Sequence, residues 1–152
     1  MTAANNEEEV KTPNNLTVVE NSVYVVWKPE YNLGVPIIDD QHRGIVTIIN
    51  SLYYGMQHNY LDEMLASIVD MLNSYTHIHF RVEEDIFART DYPKINYHKE
   101  LHAQLVSKQF SIGKRSLMDK DPSALMEFLK KWWIHHICEE DRQFREYVRI
   151  SE

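Results

Sequence analysis

The chain has 152 residues and a formal net charge of −7, with only 4 glycines and 5 prolines. That length allows one domain with a hydrophobic core, and the scarcity of turn-forming residues favours long helices over a β architecture. Lys and Arg form no basic stripe, which disfavours nucleic-acid binding, and no apolar run is long enough to span a bilayer.

The first part of the chain differs in character from the rest. Residues 1–23 are polar and acidic without usable periodicity, which predicts a flexible N-terminal arm. The arm lacks the basic and apolar regions of a secretory signal. A single cysteine, Cys138, fits a reducing compartment. We therefore expect a cytoplasmic protein.

Residues 24–150 are predicted to form one all-α domain. Its first segment, Tyr24 to Ile38, is apolar but broken by two prolines and a glycine, which predicts an extended segment lying across a bundle. A short edge strand over Val23–Trp27 is the alternative. Four helices are then expected, from an Asp39 or Asp40 cap to about His58, from Leu61 to Ala88, from Pro93 to about Ser116, and from Asp121-Pro122 to about Val148. Short connections between them indicate an antiparallel, up-down-up-down four-helix bundle.

Polar residues interrupt the apolar stripe of every predicted helix. Burying such groups without strong partners would cost a few kcal/mol each. A shared metal centre would remove this cost for all of them together, because imidazole and carboxylate are good ligands for transition metals. The stripe residues concerned are His42, His79, Glu83, His98, His102 and His136.

The remaining candidates are weaker. His58 lies at a predicted helix C-terminus, and His77 and His135 fall off the stripes; all three are expected to be solvated or to lie behind the ligands. A carboxylate partner for His136 on an α-helix should lie four residues on, at Glu140, whereas Asp141 is about 140° around the helix. Cys138 is interpreted as a small buried hydrophobe.

Four motifs in chain order resemble those of the hemerythrin family, and in particular of the bacterial hemerythrins. The likeness covers about Trp27 to Val148. The motifs are Trp27 with NLGVPIIDDQH, HFRVEE, HKELH and WWIHHICEED. The resemblance implies a non-haem centre of two iron ions per chain that binds O₂ reversibly.

Carried over by position, the resemblance implies ligands for each ion. His98, His102 and His136 would hold one iron, His42 and His79 the other, and Glu83 and Asp141 would bridge both. It thus favours Asp141 over Glu140. Two six-coordinate irons offer about twelve places, and these ligands with an oxo or hydroxo bridge would fill about eleven. The open place would lie on the iron with two histidines, where O₂ would bind, in a pocket lined by Ile45, Ile49, Leu105 and Trp132.

The leading functional hypothesis is an O₂-binding protein for storage, delivery or buffering that is not an enzyme. A second is an oxygen or redox sensor that signals to a protein partner. A third is a di-iron oxidoreductase or peroxidase. A structural zinc bundle is disfavoured, because seven ligands exceed the needs of one tetrahedral ion.

Overall fold

The structure is a computed structural model that describes residues 23–148. The predicted arm of residues 1–23 lies outside the described residues except for Val23, as does the end of the predicted 24–150 domain. Four helical rods follow a short 3₁₀ turn at Pro29–Tyr31: α1 (Pro36–His58), α2 (Leu61–Arg89), α3 (Ile95–Asp119) and α4 (Ser123–Lys131). The fourth rod continues beyond α4 as a π-helical stretch, Trp132–Glu140, and a 3₁₀ stretch, Asp141–Tyr147.

Each helix packs against the next in the chain, and α1 also packs against α4, which closes the bundle. The prediction of an all-α four-helix bundle is confirmed. No strand forms within residues 23–148, so the edge-strand alternative is wrong. The extended segment is instead held by a side chain of α1: Asn50 accepts a hydrogen bond from Val25 N and donates one to Val25 O, both at 2.8 Å.

The start of α1 differs from the prediction. The helix begins at Pro36 rather than at an Asp39 or Asp40 cap, because proline is well suited to the first helical position. The Asp39 carboxylate accepts hydrogen bonds from the backbone N–H groups of Leu33 (2.6 Å) and Gly34 (3.0 Å). Gly34 has a φ of 95°, a conformation that favours glycine. Asp39 therefore fixes the turn that enters the helix.

Two groups of buried apolar residues fill the bundle. The larger includes Ile45, Ile49, Leu72, Leu129 and Trp132. The smaller comprises Leu33, Val35, Ile38, Phe87, Tyr92 and Phe144. Along α1 and α2, His42 and Glu83 lie where the chain passes from one group to the other. The polar residues singled out above thus form a layer between two apolar regions.

Among the described residues, no helix has the length and apolarity that a membrane crossing requires.

Candidate metal centre

The structure brings all seven candidate residues together in the interior. They form two groups whose ligand atoms lie within 4.8 Å of one another, and Glu83 and Asp141 belong to both. One group adds His98, His102 and His136, and the other adds His42 and His79. None of the seven side chains is more than 3% exposed. The division into three histidines and two is the one that the resemblance implies.

Each shared carboxylate turns one oxygen towards each group. Glu83 Oε2 lies 3.0 Å from His102 Nε2, whereas Glu83 Oε1 lies 3.9 Å from His79 Nε2. Asp141 Oδ1 lies 2.9 Å from His98 Nε2 and 3.2 Å from His136 Nε2, whereas Asp141 Oδ2 lies 3.2 Å from His42 Nε2. This is the arrangement that two carboxylates need to bridge two neighbouring cations.

The winding of the fourth rod explains why Asp141 joins the site. Spacing on an α-helix favours Glu140 and the resemblance favours Asp141; the structure places Asp141, and not Glu140, in both groups. Residues Trp132–Glu140 are π-helical, and the backbone N–H of Asp141 donates to His136 O, five residues back. A π-helix places residues five apart on the same face. Asp141 is therefore buried beside His136, while Glu140 is only half-buried and lies outside both groups.

The polar atoms of the cluster fit a metal better than they fit one another. Nine of them are buried without a hydrogen-bond partner among residues 23–148: both ring nitrogens of His42 and His136, Nε2 of His79 and His102, both Glu83 oxygens, and Asp141 Oδ2. Several lie close together yet are not aligned for hydrogen bonding, as with His102 Nε2 and Glu83 Oε2 at 3.0 Å. Buried polar atoms are rarely left in this state. Cations in the cluster would satisfy seven of these nine atoms. The other two, Nδ1 of His42 and Nδ1 of His136, face away from the cluster.

The electrostatics of the cluster keep both carboxylates ionised. Burial alone would raise the pKa of Glu83, but the surrounding histidines, His79 first, hold it well below the ordinary value. Burial and Glu83 likewise oppose ionisation of Asp141, yet His136, His42 and His98 bring its pKa below normal. Anionic carboxylates are the form that binds metal.

The histidines divide in their protonation. Burial lowers the pKa of His79 and of His136 to about 4, so both are neutral at pH 7. Burial also disfavours protonation of His98, but Asp141 and Glu83 outweigh it and raise its pKa to about 9. The pKa of His42 is raised for the same reason, chiefly by Asp141 against burial. Metal binding would therefore displace protons from this site.

Two residues that sequence reasoning missed lie behind the histidines. Gln41 Oε1 is 3.1 Å from His79 Nδ1, and Glu84 Oε1 is 2.9 Å from His102 Nδ1. Such outer partners orient a ligating imidazole and fix its tautomer. Each follows or precedes a candidate ligand in the sequence, but only the packing of the helices shows which ring it contacts.

Aromatic rings further limit how the imidazoles can turn. Phe80 stacks on His102 with ring centroids 3.7 Å apart and planes inclined by 6°. Phe87 meets His98 edge-on at 4.7 Å. His58, His77 and His135 are exposed and lie in neither group.

Cys138 is partly exposed rather than fully buried, and it packs partly against the larger apolar group. Burial of the thiol raises its pKa. A raised pKa disfavours the reactive thiolate form.

Comparison with known proteins agrees with this site. The family model described as the hemerythrin HHE cation binding domain matches residues 33–148. A bacteriohemerythrin of Clostridium acetobutylicum is 31% identical over 125 residues, which are 78% of this chain and 97% of that protein. A bacteriohemerythrin of Stenotrophomonas maltophilia is 30% identical over 82% of each chain. A hemerythrin-like protein of Naegleria gruberi is 27% identical over 78% of this chain and 89% of its own.

Proposed function

Since the chain belongs to the hemerythrin family, we propose that it holds two iron ions and binds O₂ reversibly, as an oxygen store, carrier or buffer. The observation that supports this best is the division of oxygens at Glu83 and Asp141. Each carboxylate turns one oxygen to a group of three histidines and the other to a group of two. A structural site for one tetrahedral ion needs four ligands and does not require two groups that share two carboxylates.

The two groups assign the residues to the ions. We propose that His98, His102 and His136 hold one iron, that His42 and His79 hold the other, and that Glu83 and Asp141 bridge them. When bound, the pair of irons supplies the electrons on which reversible O₂ binding depends. The group with two histidines leaves the place for O₂, because its ion has one protein ligand fewer.

We propose that apolar residues around the cluster exclude water from it. Ile45, Ile49 and Trp132 were expected to line the pocket, and all three are at most 3% exposed. Leu105, the fourth expected residue, is half-buried and packs against the same apolar group. Excluding water from a site prevents leakage of protons to bound species. This lining supports binding and release of O₂ without its consumption.

We propose a carrier rather than an enzyme. Asp39 is the one buried carboxylate of residues 23–148 outside the cluster, and both of its oxygens accept backbone hydrogen bonds. It is therefore not placed to exchange protons with a substrate at the site. We place the protein in the cytoplasm, where its single thiol, Cys138, would stay reduced.

The test is anaerobic purification and metal analysis, followed by absorption spectra before O₂, after O₂, and after O₂ is removed under argon. Two irons per chain and a charge-transfer band that appears and disappears with O₂ are the expected result. Loss of the band within one cycle, with all iron oxidised, would favour the oxidoreductase or sensor hypotheses.

A matched pair of variants links this result to the site. His79→Ala removes a buried candidate ligand, and His77→Ala removes an exposed histidine from the same helix. We expect the first to lose the band and the second to keep it. Equal behaviour of the two variants would contradict the assignment of His79.

A further inference from the structure

The outer ring nitrogens of the candidate histidines differ in their hydrogen-bond partners. All five histidines direct Nε2 into the cluster. The outer nitrogen of His79 faces Gln41, and that of His102 faces Glu84. The Nδ1 atoms of His42 and His136 are buried and have no hydrogen-bond partner among the described residues. A ligating histidine nearly always donates this N–H to a carboxylate, a carbonyl or a water molecule.

His42 borders a small cavity that could provide such a partner. One wall of this cavity is the chain from Glu30 to Leu33, and the other is formed by Ile137, Cys138 and Arg142 of the fourth rod. His42 Nε2 faces Asp141, and we infer that Nδ1 is the ring nitrogen turned towards the cavity that His42 lines. The cavity leaves about 10 Å³ for the centre of a water-sized sphere, which is room for one water molecule and too little for an organic ligand.

Two hydrogen bonds at the surface hold the wall in place. Arg142 Nη2 donates to the backbone oxygen of Glu30 at 2.8 Å, which joins chain segments 112 residues apart. Arg43 Nη2 donates to Asn32 Oδ1 at 3.1 Å. Both contacts tie the extended segment down where it covers His42.

We propose that this cavity binds one ordered water molecule, which accepts a hydrogen bond from His42 Nδ1 and is retained by the contact between Arg142 and Glu30. The water would fix the orientation of His42, as Gln41 and Glu84 fix those of His79 and His102. Residues 30–33 and Arg142 then act as positioning residues for the two-histidine group. The water site depends on the protein geometry alone, whereas its effect on a bound ion rests on the proposed function.

The test uses the metal-free full chain, so that it does not depend on whether iron binds. A high-resolution crystal structure should show a density peak about 3 Å from His42 Nδ1. Nuclear Overhauser transfer between water and the His42 ring should report the same molecule in solution. Cys138→Leu should fill the cavity and abolish both signals, and Cys138→Ser, which keeps the volume small, should retain them.

A second comparison tests the retaining contact. Arg142→Ala should weaken the transfer to the His42 ring at least two-fold, and Arg145→Ala, which changes an exposed arginine of the same stretch, should not. Absence of the density peak and of the transfer in the unaltered chain would overturn the proposal, as would equal signals in Cys138→Leu. If the water is found but no iron binds, the water site stands and the proposed function fails.

Discussion

Replacing Glu83 with alanine tests the bridging arrangement most directly. Glu83 is fully buried and is common to both groups of candidate ligands. Its two oxygens lie within 3.9 Å of four histidine nitrogens, from His42, His79, His98 and His102. Of the residues of α2, Glu83 alone belongs to both groups. The substitution should therefore weaken both metal positions and not one alone.

The size of the effect follows from the burial of the cluster. Removing one partner from a buried set of charged groups costs about 3–5 kcal/mol. Since each ~1.4 kcal/mol is a factor of ten in an equilibrium constant, the affinity of the site for the pair of ions should fall by roughly two to four powers of ten. We expect Glu83→Ala to retain less than one iron per chain after dialysis against a weak chelator.

The assay is iron content by mass spectrometry on protein purified without oxygen, with circular dichroism to verify the helical fold. Glu140→Ala is the matched control, since Glu140 is the carboxylate that α-helical spacing favoured and lies outside both groups. It should keep the iron content of the unaltered chain. Two irons in Glu83→Ala, or a loss of iron in Glu140→Ala alone, would refute the bridging assignment.

Three further changes have distinct expected outcomes. Glu84→Gln removes the carboxylate that faces His102 Nδ1. Metal affinity, measured by competition with a chelator, should fall about 10–100-fold. Glu100→Gln, on the exposed face of α3, should leave the affinity unchanged. Asp39→Ala leaves the N–H groups of Leu33 and Gly34 without their acceptor. It should lower the free energy of unfolding in urea by about 1–3 kcal/mol. Asp40→Ala changes a side chain that is 73% exposed and should alter this free energy little; equal effects of the two variants would show that the turn does not depend on Asp39. Removal of metal should lower the thermal midpoint of unfolding by roughly 10 °C. A free metal concentration of about 1,000 times the dissociation constant stabilises the fold by about 4 kcal/mol, and each kcal/mol shifts the midpoint of a domain of this size by about 2–4 °C. An unchanged midpoint in scanning calorimetry would mean that no ion binds the folded cluster.

The parts of the fold that sequence predicted are those that depend on local periodicity. The four helices follow stripes of apolar residues, and burial of those stripes needs no knowledge of the neighbours. The end of α2 at Arg89 lies one residue from its prediction. The candidate ligands were found in the same way, since polar groups on an apolar stripe need a partner wherever the helices pack.

The features that the sequence did not predict depend on more than the residue pattern of a single helix. Asp39 has the chemistry of a helix cap, but its carboxylate bonds to a turn that precedes the helix. Asp141 has the wrong spacing for an α-helix, and only a change of winding brings it beside His136. Gln41 and Glu84 contact rings on other helices, across 38 and 18 residues of sequence. Such contacts depend on how the helices rotate against one another.

The π-helical stretch also has a consequence for how the length of this segment can vary. A chain one residue shorter between His136 and Asp141, wound as an ordinary α-helix, would present the carboxylate in nearly the same direction, because four residues then make the turn that five make here. Phe144, which is fully buried against Phe87, would also keep its direction around the helix axis. Deletion of the exposed Glu139 is therefore a change that the bundle can absorb by rewinding. An alignment of two such chains would show a one-residue gap in this stretch, while the carboxylate and the buried aromatic ring that follow it would superimpose.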